Sequence, residues 1–498
     1  MSDSKEAGIS STMNDARDRL AQGDVGQAIA LFNKVKSYRP ESPEQVLMQL
    51  TARCQIADIL IKNGKTKEAF SELVEALKVS PGFAGAHELL SHLAQWEPDL
   101  VVECWRRLVP ILDPASRVKI IHRINAVLTT MGALEYNPIT ADILGLGRII
   151  LDSFTAATEH IRLHSDKMGN LVGKTDIWSH MASRVHGDFF ETVARNDPTA
   201  IMEYLNALPT KSIGVGIQRY AGHEMLDARD PLRLPRLQEF LEQVLHLGEY
   251  LGVLPVDNTE IGQKDKWKDR DFDEIVASIE EKLGFPLIFP KVFTRQFGLK
   301  VRNGVVDNRA TQAIYTASRI CALLDQAGIP RSEAKVLEIG GGMGTLAYYT
   351  TKMGVGEYHI VDLPYINTAQ HYLLGTLLGM DQISTFAYPR EDAKVSVMPF
   401  FKILEKPDRY FHLVVNEDSM TEINKEIVDV YIEQICRISS RYFLSVNHES
   451  QAELVYQSGR SLHRHHRMIE ATQGKMTQLY RFIHWMRPGY LEELFAVR

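Results

Sequence analysis

The run Glu338-Ile339-Gly340-Gly341-Gly342-Met343-Gly344-Thr345 constrains this chain more than any other stretch of its length. It follows the apolar, partly β-branched Val336-Leu337-Glu338-Ile339 and precedes a helical pattern reaching Tyr349. Four glycines therefore stand where a strand hands over to a helix. Glycine permits the sharp turn there, and lets a ligand lie against backbone with no Cβ between them. A junction of this kind belongs to sheets whose strands alternate with helices.

The remaining C-terminal residues repeat the alternation. Tyr358–Val361 precedes a helix up to about Gly379, Val395–Met398 is a third strand, and His412–Val415 a fourth. A helix with Ile423, Ile427, Val430, Tyr431 and Ile435 on one face follows, then Tyr442–Val446; Leu479–Ile483 closes the chain. The pattern predicts a doubly wound, mainly parallel α/β sheet of Rossmann-like type over residues 295–498, with ligands outside the carboxyl ends of its strands.

Two nucleotide-type readings of the glycine run compete. A dinucleotide fingerprint needs glycine or alanine where Thr345 stands. An acid two residues ahead of G-x-G-x-G fits throughout, with Glu338, Gly340, Gly342 and Gly344. No Gly-Lys-Ser/Thr follows, which removes a Walker A loop. The fitting pattern resembles motif I of class I S-adenosylmethionine-dependent methyltransferases. That resemblance implies S-adenosylmethionine as cofactor, with Glu338 toward its amino-acid end and Gly340, Gly341, Gly342 and Gly344 admitting its ribose and methionine portions. Asp362, ending the second strand, can accept both ribose hydroxyls, and Leu363 is placed to pack on the adenine. Alternatively, Asp362 caps the helix that opens at Pro364. Asn416, at the tip of the fourth strand, is grouped with the cofactor residues.

Methylation of an alcohol also requires removal of its proton. The tips of strands four and five carry Asn416-Glu417-Asp418-Ser419-Met420-Thr421-Glu422 and Asn447-His448-Glu449-Ser450. Either His448 or Asp418 serves as base, with Glu449 or Glu422 orienting an imidazole or taking a sugar hydroxyl. Equally, Asp418 or Ser419 caps the next helix and Glu422 completes a capping box. These oxygens are compatible with Mg²⁺, but no ligand spacing demands a metal, and none is expected.

The wider pattern, Leu337–Gly344, Val361-Asp362-Leu363-Pro364 and Asn416–Glu422 followed by Tyr431, resembles the sugar O-methyltransferase family over residues 175–498, most clearly from 295 onward. Trp178, the Gly216–Gln218 stretch and Asn308-Arg309 belong to its less specific upstream part. The resemblance implies methyl transfer to a sugar hydroxyl of a glycan or glycan precursor. Rival readings are a protein methyltransferase and a methyltransferase-fold scaffold without turnover. The spacing of Glu417 and Glu422 is too short for the two-glutamate hairpin of protein arginine methyltransferases.

Upstream, residues 1–14 are small and polar and are expected to be disordered. Residues 15–114 contain a repeat: Gly23 is followed by Ala28, Phe32, Val35 and Pro40, and Gly64 at the same offsets by Ala69, Leu73, Ala76 and Pro81. Glycine turns a helical hairpin, alanine admits its partner, and proline ends it. The positions resemble the tetratricopeptide repeat, which implies a possible protein partner. An insertion is expected around Ser42–Gln49, and a degenerate third unit from Phe83 to Pro114 packed by Trp96 and Trp105.

Residues 115–294 read as mainly helical. Ile213–Tyr220 is either the wall of a polyol pocket or a connection between domains. Ser461-Leu462-His463-Arg464-His465-His466-Arg467 is a solvated or lid segment, a phosphate contact or a metal site. The 56 Lys+Arg against 63 Asp+Glu give a net charge of −7, poor material for tracking nucleic acid. The four cysteines are unpaired by spacing, no apolar run reaches a membrane span, and the start lacks a secretory pattern; a cytoplasmic protein is expected.

Overall fold

In the computed structural model, Gly23 and Gly64 take φ of 81° and 72° and each closes a helical hairpin, α1 (Ser2–Ala21) with α2 (Val25–Ser37) and α3 (Pro43–Lys62) with α4 (Thr66–Val79). The structure describes residues 2–135, 137–140, 144–172, 177–214, 217, 231–449, 453–455, 461–464 and 467–497. They form two compact units, Met1–Met131 with Val256–Ile275, and Gly132–Pro255 with Val276–Arg498.

In the first unit the repeated offsets are a packing pattern, because Ala28, Phe32, Val35, Ala69, Leu73 and Ala76 are all fully buried. The Asp24 and Ser42 side chains accept from the N–H groups of Gln27 and Gln45, capping α2 and α3. The residues expected as an insertion lengthen α3 by its first two turns. Three helices follow, α5 (Ala84–Leu93), α6 (Pro98–Leu108) and α7 (Pro114–Met131). Trp105 is buried and donates to His87 Nδ1 at 3.1 Å. Trp96, expected to pack beside it, lies in the turn between α5 and α6 and is 57% exposed.

Two boundaries also differ from expectation. Residues expected to be disordered begin α1, because Ile9 and Met13, four apart on one helical face, join a core with Phe32 and Ile56. The unit runs past 114 to Met131 and takes in 256–275. There Arg106 holds Asp271 at 2.7 and 2.8 Å and Asp273 at 2.9 Å, and Asn125 Nδ2 donates to the carbonyls of Lys268 and Arg270.

The second unit starts with β1 (Ala133–Glu135), which pairs with β2 (Gln296–Val301) and through it β3 (Gly304–Val306) in an antiparallel sheet. Between them run α8 (Leu144–His164), α9 (Ile177–Arg184), α10 (Gly187–Ala194), α11 (Pro198–Asn206), α12 (Arg233–Tyr250) and α13 (Phe272–Leu283). After α14 (Asn308–Gln326) comes the main sheet: β4 (Lys335–Ile339), α15 (Thr345–Lys352), β5 (Glu357–Asp362), α16 (Pro364–Leu378), β6 (Ile383–Ser384), β7 (Val395–Pro399), β8 (Phe411–Glu417), α17 (Lys425–Ile438) and β9 (Ser439–His448). A hairpin of β10 (Glu453–Val455) and β11 (Ser461–Arg464), then α18 (Met468–Thr472), lead to β12 (Thr477–Ile483) and β13 (Tyr490–Ala496).

The eight strands are ordered β12-β13-β9-β8-β4-β5-β7-β6. All pairs from β9 to β6 are parallel, while β13 runs antiparallel to both β9 and β12. The expected doubly wound sheet is thus present, with two strands, β6 and β13, more than the sequence suggested. The chain does not close on Leu479–Ile483; β13 follows and inserts between β12 and β9. Leu337, Ile339, Val361, Val414 and Phe443 bury one face against Ile432 and Ile435 of α17, and a second core joins α16 to α8, α10 and α11. Connections leave β4 in opposite directions, to β5 and, later, to β8. This reversal opens a crevice at the carboxyl ends. Register sets Ile339 beside Val361 and Asn416, so the residues just beyond them stand in one row. Among the described residues no helix is long and apolar enough to cross a membrane.

Candidate functional site

That crevice contains a cavity of about 450 Å³. Its floor is Glu338 through Met343, one wall is Val361–Ile366, and Glu417, Asp418 and Ser419 form another. Apolar groups from Ile161, Leu171, Trp178 and Ile217 complete it with Ile423, Ile427 and Tyr431.

The glycines differ in what they are for. A Cβ on Gly340 would come within 2.8 Å of Ser419 Cβ, one on Gly341 within 2.7 Å of Ile360, and one on Gly344 within 3.0 Å of Leu374. Those three are demanded by packing. Gly342 has φ 52° and its nearest such neighbour is Ile217 at 4.0 Å, so its open side faces the cavity. Gly344, the N-terminal cap of α15, does not line the cavity.

Two buried carboxyls face the cavity without a cation beside them among the described residues. Glu338 is 3% exposed and accepts from Tyr358 Oη at 3.1 Å. Burial, with Glu417 and Asp362 nearby, pushes its carboxyl up to about 8 against that hydrogen bond. Asp362 Oδ1 accepts from the Leu363 N–H and Oδ2 from Gln370 Nε2, both at 2.7 Å. Burial raises it to about 7, opposed by donors that include the Gly341 and Gly342 backbone. The alternative role as a helix cap fails, since Leu363 occupies the cap position of α16 and Asp362 accepts that residue's own N–H. Leu363 lines the cavity beside it.

Asn416 is placed otherwise than expected. It is fully buried and absent from the cavity wall. Its Nδ2 donates to Ile339 O at 2.8 Å and to Ser419 Oγ, while Oδ1 accepts from Met420 N and Asn447 Nδ2. It clamps the tips of β4, β8 and β9 together.

At the next corner Asp418, Glu422 and His448 converge, with donor atoms all within 4.8 Å of one another. Asp418 sits at φ 65°, a region where aspartate is tolerated but rare. Arg487 Nη2 donates to its Oδ2 at 2.7 Å and Tyr490 Oη to its Oδ1 at 2.5 Å, with Arg309 3.9 Å away. A divalent ion here would compete with a guanidinium already in place. Burial and Asp418 raise Glu422 to about 7. Its capping box is not formed: Asn424 caps α17, and Ser419 Oγ is engaged by Asn416. His448 lies 3.3 Å from Thr421 Oγ1, edge-on to Tyr490, and burial lowers its pKa. Glu449 points elsewhere, held by Arg481 of β12 at 2.5 Å, so it does not orient His448.

Arg487 and Tyr490 went unnoticed in the sequence, because the turn and strand that deliver them follow the presumed last strand. Trp178 and Arg309, flagged only through the family resemblance, both line the cavity, as does Ile217. The rest of the Gly216–Gln218 stretch, Arg219, Tyr220, Ser450, His465 and His466 lie outside the described residues. Arg467 is paired with Glu470.

No family model and no curated protein matches the sequence. Solved structures similar to part of it include three methyltransferases. One is magnesium protoporphyrin IX methyltransferase from Synechocystis PCC 6803 with bound SAM, 11% identical over 38% of this chain and 83% of that one, TM-score 0.27. Another is 1,6-didemethyltoxoflavin-N1-methyltransferase from Burkholderia thailandensis, with its ligand and S-adenosylhomocysteine (17%, 37% and 78%, TM-score 0.26). A third is a SAM-dependent methyltransferase from Aquifex aeolicus (11%, 37% and 98%, TM-score 0.26).

Proposed function

We propose that the second unit binds S-adenosylmethionine in this cavity and transfers its methyl group to a hydroxyl, a sugar of a glycan or glycan precursor being the acceptor that the sequence resemblance favours. The observation that carries the proposal is the pair Glu338 and Asp362, two buried carboxyls aimed into a largely apolar cavity beside the open face of Gly342. Among the described residues no cation stands beside either carboxyl, and burial makes that lack costly. S-adenosylmethionine carries two cationic centres and a ribose diol, which suit Glu338 and Asp362 respectively. When bound, it supplies an electrophilic methyl on sulfur.

The chain's own residues do the rest. Gly340–Gly342 lay bare backbone along the ligand, Asp362 accepts from the diol, Leu363 covers the base, and the apolar wall excludes water. His448, neutral near pH 7, accepts the proton of the acceptor hydroxyl, and Asp418, locked by Arg487 and Tyr490, steadies the imidazolium that results. Glu422 is available to an acceptor hydroxyl. For the hairpins of residues 2–131 we infer a tetratricopeptide-like array that engages a protein partner, and a cytoplasmic setting suits the four free cysteines.

Titration calorimetry with S-adenosylmethionine and S-adenosylhomocysteine tests the cofactor. Gly342→Arg should abolish binding, and Asp362→Ala should weaken it by about 1–3 kcal/mol. Undiminished affinity in Asp362→Ala would remove the ribose assignment, and no heat from the native chain would remove the cofactor. Mass spectrometry of cellular glycans with and without the gene, searching for the mass of one methylene, tests the acceptor. With that acceptor in hand, His448→Ala should lower kcat at least about 100-fold while leaving cofactor affinity within about twofold. Equal losses in both would mean that His448 is structural.

A further inference from the structure

We propose that Lys406 is a site of covalent acylation, its amine taking a small acyl group from an acyl phosphate, with His359 as base and Glu357 orienting that base. The three stand toward the amino ends of β4 and β5, on the side of the sheet opposite the cavity, so the reaction does not depend on what the cavity holds. Glu357 and His359, two apart on β5, share one face of the strand. Lys406 follows the 3₁₀ helix Phe400–Glu405, which packs against β5. Lys406 Nζ lies 3.1 Å from His359 Nδ1, and His359 Nε2 lies 2.8 Å from Glu357 Oε1. The carboxylate is held in turn by Tyr410 Oη at 2.6 Å and Lys335 Nζ at 3.2 Å. Nucleophile, base and orienting group within hydrogen-bond reach form the arrangement that activates a nucleophile.

The hydrogen bonds fix where each proton sits. His359, with Tyr410 and Lys335, holds the Glu357 carboxyl down to about 2, so it stays ionised. His359 Nε2 beside it must carry a hydrogen, which leaves Nδ1 bare to accept from Lys406. Burial keeps that imidazole neutral near pH 7. An amine that donates to Nδ1 has its lone pair free for a carbonyl carbon. Burial, then Lys402, push the Lys406 ammonium down to about 8, against Glu357 and Glu405, while Arg437 of α17 donates to the Lys406 carbonyl. About a tenth of the amine is neutral at pH 7, against less than about one part in a thousand for an ordinary lysine.

In the reaction the amine nitrogen attacks the carbonyl carbon and the carbon–oxygen bond to phosphate breaks. Phosphate leaves with the electron pair, and His359 Nδ1 takes the proton that the nitrogen sheds. Glu357 steadies the imidazolium until water removes that proton. The product amide keeps one N–H to donate to His359, and the lysine charge is lost. Lys406 is half-buried, which limits the donor to a small acyl group. Lys402 beside it, although shared with Glu405, suits the leaving phosphate.

Incubation of the full chain with acetyl phosphate, followed by peptide mass spectrometry, reads the rate at each lysine. At pH 7 Lys406 should be acetylated at least about tenfold faster than Lys62, whose side chain is 72% exposed. Its rate should level off above about pH 8, whereas an ordinary lysine gains up to about pH 10. His359→Gln, which keeps a hydrogen-bonding side chain but no base, should slow Lys406 at least about tenfold and leave Lys62 unchanged. Lys406 reacting no faster than Lys62 overturns the proposal. So does a His359→Gln chain, folded by circular dichroism, in which Lys406 reacts as fast as before. Should that variant misfold, the pH profile of the native chain decides, and a Lys406 rate still climbing at about pH 10 overturns the proposal.

Discussion

Glu338 and Asp362 decide how the cavity responds to pH. Burial lifts them to about 8 and about 7, whereas in the unfolded chain carboxyls titrate near 4, roughly. Between those limits these two carboxyls hold more protons in the native chain than in the unfolded one, so the stability they contribute should fall as pH climbs from about 5 to about 8. A cation in the cavity favours the charged carboxylates and drives those protons off. Affinity for S-adenosylmethionine should therefore rise across the same interval and level off above about pH 8. Thermal melts of the native chain beside Glu338→Gln/Asp362→Asn, and titrations in buffers of different ionisation heat, measure both effects. The same pH dependence of melting in the native chain and in Glu338→Gln/Asp362→Asn, with no proton release on binding, would contradict the assignment. At this scale much was legible: an acid ahead of spaced glycines and an acid ending the next strand are local patterns. The separate duties of the glycines were not, because the groups that crowd Gly340, Gly341 and Gly344 come from Ser419, Ile360 and Leu374.

Among the elements, β13 shows how tertiary pairing overrides local preference. Tyr490-Leu-Glu-Glu-Leu-Phe-Ala496 is rich in leucine and glutamate and reads as helix-forming. It is extended because β9 and β12 flank it and satisfy its backbone on both sides. Glu492 on it is fully buried and accepts from Tyr315 at 2.8 Å, Arg319 at 2.8 Å and Tyr480 at 2.7 Å. Glu492→Ala would strand Arg319, which is 19% exposed, and should cost about 3 kcal/mol in urea unfolding, with Glu492→Gln costing less. A loss under about 1 kcal/mol would mean that this network does not hold β13 in place. The same strand and the turn before it carry Tyr490 and Arg487 onto Asp418. An element that sequence patterning misses thus brings two of the groups that set the acceptor corner.

For the whole molecule, two units with separate cores imply separable stability. Trp105 is fully buried in the helical unit, and Trp105→Ala should remove about 3–5 kcal/mol there. Calorimetry should register a lowered transition for that unit while S-adenosylmethionine still binds and still raises the transition of the sheet-containing unit. Loss of cofactor binding in Trp105→Ala would show the two to be energetically one. Local chemistry was enough to determine the glycine turn, the alternation of strands with helices and the spacing of the helical hairpins, since each depends on residues a turn or a strand apart. Only the tertiary structure decided that Ile9 and Met13 have a core to enter, that 256–275 returns to the helical unit, that Asn416 clamps strand tips and that Glu449 belongs to Arg481. Each of those outcomes is a contact between segments distant in the chain. No pattern of neighbours encodes them, because their free energy exists only once the intervening chain has folded and excluded water between them.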